Sequence, residues 1–410
     1  MSANHQVALV ACKEYDPAQV EAAIRRSVDL LGGMSAFVRP GQKVLLKPNL
    51  LRSLPPEKAT TTHPTVVAAV AKLVIEVGGK PIIVESPGGP YTGIYLRNVY
   101  QRTGMVQAAE ISGAELNNDF ESVQVSNPDG VVLHRLDVVK PLTEVDIVIN
   151  LAKLKTHNLT TLTLAVKKLF GLIPGVLKVG YHSKLQSRER FAEGLVDIAL
   201  YAKPALNIID AVIGMEGEGP SGGDPRFIGA ILAGANVFDV DIAAATLVGC
   251  DPLRVLTTYV ATKRDLTTGK AEDLEWLGDP LDTLKVQDFR MGIEAAMDPG
   301  LLPRLLRGLI KQPESGEEPT QRDARSKGAF RAVTSGWLWK QLVAMPHSND
   351  NCLGCGVCAR HCPVKAITIT DKHACMDPRT CIRCYCCHEL CPELAIDLTR
   401  PWLGRLFIGK

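Results

Sequence analysis

Eight cysteines carry the clearest chemistry in this chain. Cys352, Cys355, Cys358 and Cys362 run up to Pro363, and Cys381, Cys384, Cys387 and Cys391 run up to Pro392. Both runs read C-x2-C-x2-C-x3-C-P. Three thiolates so closely spaced can hold three irons of one cubane while the loop curls around it. The fourth cysteine of each run lies too far along to close the same cube and ligates the other one. One expected [4Fe–4S] set is therefore Cys352, Cys355, Cys358 and Cys391; the other is Cys381, Cys384, Cys387 and Cys362. Zinc is the competing reading, because C-x-x-C pairs also bind it. Two four-cysteine runs that each close on proline weigh against zinc. Cys386 aligns with Val357 in the internal repeat and reads as a packing residue, and Cys375 as a spare thiol. Two cubanes relay single electrons. With every ligand position filled, any transformation of a substrate belongs elsewhere in the chain.

The second chemical concentration is the segment 153–190, which holds eight basic residues and a single acid, Glu189, in a protein of net charge +2. Such local bias points to an anionic ligand such as a phosphate or carboxylate. The alternative is pairing with the acids of residues 205–241, namely Asp210, Glu216, Glu218, Asp224, Asp239 and Asp241. His157, Lys167 and His182 lie within one strand–helix–loop unit and are the candidate catalytic groups, with Lys168 beside them. Further candidates end other strands: Lys47 and Asn49 in "KPN", Ser86, Gly88 and Gly89 in "ESPGGP", and Gly217 and Gly219 in "GMEGEGPSGG". Glycines there would let backbone N–H groups approach a phosphate, although neither G-K-[ST] nor G-x-G-x-x-G is present. Asp210 ends a strand and is a candidate to orient a ligand or bind a cation.

The elements that must position these groups read as α/β. Short branched apolar runs ("VALVAC" 7–12, "KVLLKPNLL" 43–51, "KPIIVES" 80–86, "VDIVINLA" 145–152, "LNIIDAVI" 206–213, "FIGAILAG" 227–234) alternate with helical patterns near 17–32 and 64–79. That alternation predicts a mostly parallel, Rossmann-like sheet with helices on both faces. Ligands of such sheets bind at the carboxyl ends of the strands, where His157 falls. The expected organisation is an α/β ligand-binding domain over 1–310, a linker and docking segment over 311–346, a small α+β ferredoxin-like domain over 347–400 and a tail over 401–410. The apolar–basic stretches "LLPRLLRGLIK", "GWLWKQLV" and "RPWLGRLFIGK" suit packing between modules, with a membrane-surface patch as the alternative.

Bulk properties narrow the classes. At 410 residues and 46% apolar the chain can build a sizeable core. Near-neutral charge excludes neither fold nor enzyme but argues against nucleic acid as a partner. No apolar run suits a spanning helix and no secretory signal opens the chain. Ten of twelve cysteines fall between Cys352 and Cys391, which suits the reducing cytoplasm rather than a disulfide framework.

The two cysteine runs resemble a bacterial-type ferredoxin domain. Ahead of them, "KVLLKPNLL", "THP", "GGKPIIVESPGG", "VDIVINLAKLKTH", "AVKKLFGLIPG" and "MEGEGPSGG" resemble the domain of unknown function 362 family, over roughly residues 5–260. Many members carry a ferredoxin-like module. A more distant similarity is to the nickel-pincer lactate racemases. That likeness would give His157 and His182 roles in nickel ligation and Lys167 the pincer nucleotide. It departs at a histidine that follows a glycine–threonine pair in that family; "ESPGGP" lacks one, and His63 lies nearby in sequence.

These readings predict an iron–sulfur oxidoreductase. It would pass single electrons through two [4Fe–4S] clusters to a further cofactor or anionic substrate in the α/β domain, with a protein as electron donor or acceptor. A non-enzymatic relay or cofactor-assembly and docking protein, and a racemase-like metalloenzyme, are the alternatives.

Overall fold

A computed structural model describes residues 5–185, 187–292, 340–402 and 405–406. The expected linker lies mostly outside these residues, as do "LLPRLLRGLIK" and parts of the other two apolar–basic stretches.

One nine-stranded sheet organises the first 290 residues. Its strands are β1 (Gln6–Ala11), β2 (Lys43–Pro48), β3 (Lys80–Ile83), β4 (Glu115–Leu116), β7 (Ile147–His157), β8 (Thr161–Thr163), β9 (Leu206–Glu216), β10 (Asp224–Gly234) and β11 (Glu275–Gly278). β5 (Ser122–Ser126) and β6 (Arg135–Val139) form a separate hairpin. The spatial order is β11-β1-β10-β9-β7-β2-β3-β4, with β8 folded back on β7. Pairing is parallel through β9-β7-β2-β3-β4 and between β1 and β11. β10 runs antiparallel to both β9 and β1, so the sheet is mixed though mostly parallel. The apolar runs at 206–213 and 227–234 are thus adjacent arms of a hairpin, a pairing that apolarity alone does not distinguish from a crossover.

Both faces of the sheet are covered. In β2, Leu45 joins one buried cluster while Val44 and Leu46 join the other; in β1, Val7 and Leu9 part in the same way from Ala8 and Val10. Side chains alternate across a strand, so a continuous apolar run requires a partner on each side. Helices α1 (Pro17–Asp29), α2 (Pro64–Glu76), α3 (Gly93–Arg102) and α4 (Met105–Ser112) cover one face. Helices α7 (Arg188–Ala202) and α8 (Val237–Leu247) cover the other. α2 begins as its sequence predicts: Pro64 occupies the first turn, and His63 Nδ1 accepts the Thr65 N–H at 3.3 Å. Gly78, at φ +83°, donates its N–H to Ile75 O just past the helix end.

The cysteine-rich region is built from two antiparallel strand pairs. β12 (Met345–Ser348) pairs with β15 (Ile396–Thr399), and β13 (Ile367–Thr370) with β14 (His373–Met376). β12 begins two residues ahead of the boundary expected at 347. Two short helices, Val357–Arg360 and Cys386–Leu390, carry the third cysteine of each run. Among the described residues, no helix is long and apolar enough to cross a membrane.

Candidate functional site

The strand β7 starts the site. Lys153, Lys155 and His157 follow one another at two-residue spacing along its buried end. Lys153 Nζ donates to Asp210 Oδ2 (3.0 Å) and to the Tyr15 hydroxyl (2.7 Å). Lys155 Nζ donates to the carbonyls of Thr60 (2.7 Å) and Pro220 (3.1 Å). His157 Nδ1 accepts the Leu159 N–H at 3.0 Å, so a neutral ring carries its proton on Nε2. That Nε2 faces Glu389 Oε1 at 3.2 Å, without hydrogen-bond alignment.

The chain then turns through β8 into α5 (Ala165–Lys168). The Asp241 carboxylate accepts the first two N–H groups of this helix, Ala165 at 2.6 Å and Val166 at 3.2 Å. Burial nevertheless pushes the Asp241 carboxyl up to about 8. The cap aims Lys167 and Lys168 at the sheet's carboxyl edge. Lys168 Nζ donates to the Lys47 carbonyl, while Lys47 Nζ pairs with Glu85 Oε1 at 2.6 Å; Lys47 and Glu85 are both buried. Gly171 backs directly onto that pair, since a Cβ there would collide with Glu85 Oε1 and Lys47 Nζ. From α6 (Leu177–Lys184), Lys178 Nζ donates to Ser86 O (2.7 Å), Ser86 Oγ (3.1 Å) and Pro87 O (3.2 Å).

A small, partly open cavity lies beside these groups; His157, Lys153 and Lys47 are not among its lining residues. Asn49, Ser86, Gly88, Lys167, Lys168 and His182 line it, as do Lys155, Lys178 and Glu85. Lys167 is the lining lysine with no hydrogen bond to its ammonium among the described residues. His182 stacks on Phe191 at 4.3 Å and makes no hydrogen bond among the described residues. The Thr163 hydroxyl is buried, lines the cavity and has no partner among the described residues. Burial lowers Lys167, against the pull of Glu389, and holds His157 and His182 neutral, down to about 3 and about 4. Burial brings Lys178 down to about 7.

The cysteine module closes the cavity. Cys386, Glu389 and Leu390, all on its second helix, also line the cavity. Leu390 sits against Gly88, and His388 Nε2 lies 3.3 Å from the Glu218 carbonyl. Burial alone would raise the Glu389 carboxyl, but the Lys167 ammonium holds it well below the usual carboxylate range.

Behind that wall the module has two further cavities. One is lined by Cys352, Cys355, Cys358 and Cys391, the other by Cys362, Cys381, Cys384 and Cys387 together with Cys386. Four thiols around a cavity suit the donor set of a polynuclear iron–sulfur centre. Among the described residues, no group of His, Cys, Asp or Glu converges tightly enough for a single metal ion.

Several sequence-level expectations are revised. Among the described residues, Asp210, Glu216, Asp224, Asp239 and Asp241 make no ion pair with the cavity's lysines. Glu216 and Asp224 pair with Arg290, Asp239 with His5, and Asp241 with the α5 backbone. Asp210 binds Lys153, Tyr15 and the His63 N–H, away from the cavity. Gly217 and Gly219 also lie elsewhere: the Gly217 N–H donates to Arg290 O and the Gly219 N–H to Thr156 Oγ1. His63 stacks on Tyr15 rather than joining His157. Gly89 does not line the cavity; its carbonyl backs onto Gly175. The glycine loop offers no free phosphate cradle at Ser86 or Gly88. Those N–H groups donate to Gly171 O with Glu85 Oε1, and to Leu51 O. Cys386 packs as expected but also forms a wall shared by two cavities. Glu85, Lys155, Lys178, Glu389 and Leu390 were not anticipated as lining groups.

Comparison with known proteins agrees with this architecture. Residues 44–246 match the family described as Domain of unknown function (DUF362), and residues 345–368 match the 4Fe-4S binding domain. A thylakoid-associated protein of Synechocystis sp. is 36% identical over 311 residues, 74% of this chain and 93% of that one. One component of an ion-translocating oxidoreductase complex from Methanosarcina acetivorans is 40% identical over 47 residues, 12% of this chain and 18% of that one. Lactate racemase apoprotein from Thermoanaerobacterium thermosaccharolyticum aligns with 57% of this chain and 54% of its own, at 11% identity and a TM-score of 0.33. The chain belongs to the domain of unknown function 362 family and carries a 4Fe-4S binding domain.

Proposed function

We propose that this member of the family is an iron–sulfur oxidoreductase whose cavity at Lys167 binds the electron acceptor or donor, an anionic small molecule or a further cofactor. The single observation that carries the reading is Cys386. It stands in the wall between the lysine-lined cavity and the cavity of Cys362, Cys381, Cys384 and Cys387. Two [4Fe–4S] clusters held by the two cysteine sets would supply single electrons at that wall. Lys167, with no internal hydrogen bond among the described residues, anchors the anionic group. His182 and the Thr163 hydroxyl offer polar contacts beside it, and the Cys386–Leu390 helix excludes water from that side. Neutral His182 accepts or donates a hydrogen bond, and Lys167 can deliver a proton to a reduced ligand. A donor or acceptor protein would meet the module on its cysteine-bearing side.

The test is to purify the cluster-loaded full chain without oxygen and extract what it retains. Wild type should yield an anionic, redox-active compound that Lys167→Met lacks. Adding that compound back to the reduced protein should restore the oxidised-cluster absorbance of wild type much faster than that of the variant. Equal reoxidation of both would refute the assignment.

A further inference from the structure

Lys155 is held differently from Lys47, Lys153 and Lys178. Lys47 and Lys153 each pair with a carboxylate, and Lys178 has three acceptors for the three N–H bonds of an ammonium. Lys155 is buried and has two acceptors, the carbonyls of Thr60 and Pro220, with no ion pair among the described residues. A charge buried without a counter-charge is costly. A neutral amine has two N–H bonds to satisfy, and both are satisfied here. What remains on that nitrogen is its lone pair, and Lys155 lines the cavity.

Its neighbour across the sheet is an independent pointer. In the β7–β8 pair Lys155 lies directly opposite Thr163, so the two side chains leave the sheet on the same face. The Thr163 hydroxyl is buried, has no partner among the described residues and lines the same cavity. A nitrogen lone pair beside an unused hydroxyl suits a carbonyl group, whose carbon meets the nitrogen while its oxygen accepts from the hydroxyl. Lys167, the lining lysine without a hydrogen bond, is then left for an acid group.

Resting on the reading of this cavity as an anion site, we propose that its ligand is a small 2-oxo acid and that Lys155 forms an imine with the ligand's carbonyl carbon. The Nζ lone pair makes the new C–N bond and the C=O bond breaks. Both amine protons leave with the oxygen as water, so no electrons are exchanged. The imine fixes the ligand covalently at the carboxyl edge of the sheet, with its acid group on Lys167.

Pyruvate and cyanoborohydride, added to the cluster-loaded full chain without oxygen, test this by peptide mass mapping, because cyanoborohydride turns an imine into a stable secondary amine. Lys155 should acquire a pyruvate-derived adduct about tenfold faster or more than any other lysine, the least expected of an amine held beside its carbonyl. Lys155→Met should lose that adduct, and Lys167→Met should slow it. Iron content verifies that each variant is intact. Should Lys155→Met not load iron, Lys155→Arg supplies donors to both backbone carbonyls and forms no imine. Isothermal titration with butyrate, which has the acid and no carbonyl, reads the anion site by itself and should show binding to wild type that Lys167→Met loses. Butyrate binding with no preferential adduct at Lys155 would overturn the imine and leave the anion site standing. An adduct at Lys155 that Lys167→Met does not slow would overturn the acid group as what the cavity recognises. Neither adduct nor butyrate binding would remove the anion site itself, and the inference with it.

Discussion

Glu389 Oε1 lies 3.2 Å from His157 Nε2, joining the cysteine module to the last residue of β7. Around that contact, one wall of the cavity comes from the α/β region and the other from a helix that also holds a cluster-type cysteine. The site is a property of both modules together.

Cys386 and Cys387 should separate cleanly. Cys387 lines only a cysteine cavity, whereas Cys386 also faces the lysines. Cys386→Ala should retain full iron and acid-labile sulfide after anaerobic purification. On the proposal that each cysteine set holds one cluster, Cys387→Ala should lose roughly half of both. Equal iron loss in the two variants would make Cys386 a ligand.

The buried pair Lys47–Glu85 supports the floor of the cavity. Removing one partner leaves an uncompensated charge, so Lys47→Met should cost about 3–5 kcal/mol in chemical denaturation. The double change to Met and Gln should recover much of that loss. Gly171→Ala forces the pair apart and should cost about 3 kcal/mol by the same route. If the single and double changes cost the same, the two residues are not coupled.

Asp241 holds the start of α5. In Asp241→Ala two buried N–H groups lose their acceptor, which should lower stability by about 2–4 kcal/mol. The sign of its pH effect follows from a carboxyl raised to about 8 by burial. The unfolded chain releases that proton near pH 4 and the folded chain holds it, so this contribution to stability falls as pH rises from about 4 to about 8. Melting curves across that range should show a shallower decline in Asp241→Asn.

Lys178 gives the opposite slope. Burial brings its ammonium down to about 7, so between that pH and the ordinary lysine range the unfolded chain binds more protons. Its contribution to stability therefore rises with pH through that window. Anion binding should weaken over the same rise, because the cavity loses a positive charge. A pH titration of butyrate affinity that stays flat from 6 to 9 in wild type, and matches Lys178→Met, would show that Lys178 does not serve the site.

The main strands, the covered sheet and the cysteine sets were legible because each is a local pattern. Continuous branched runs demand two covered faces, and ligand spacing is written in consecutive residues. Lys167, Lys168 and His182 were legible as a basic cluster because they lie in one unit. What could not be read was the direction of β10, since a hairpin and a crossover have the same apolarity. The commitment of Asp210 to Lys153 was equally hidden, because it joins distant segments. Glu389 and Leu390 did leave a trace. In the internal repeat Cys386, Glu389 and Leu390 stand where the first run has Val357, Arg360 and His361. The repeat departs from itself, with a reversal of charge, at the three positions that face the cavity. The two runs differ at eight other positions as well, so that comparison alone does not single these three out.

The order in which the ribosome delivers the two walls has a consequence for biogenesis. β7, α5 and α6 emerge and can fold long before Cys386–Leu390 is made, so the lysine-lined wall spends part of each synthesis cycle without its counter-charge. A nascent chain at that stage would present Lys167 to any soluble anion. Synthesis of Cys386–Leu390 is then the event that completes the chamber.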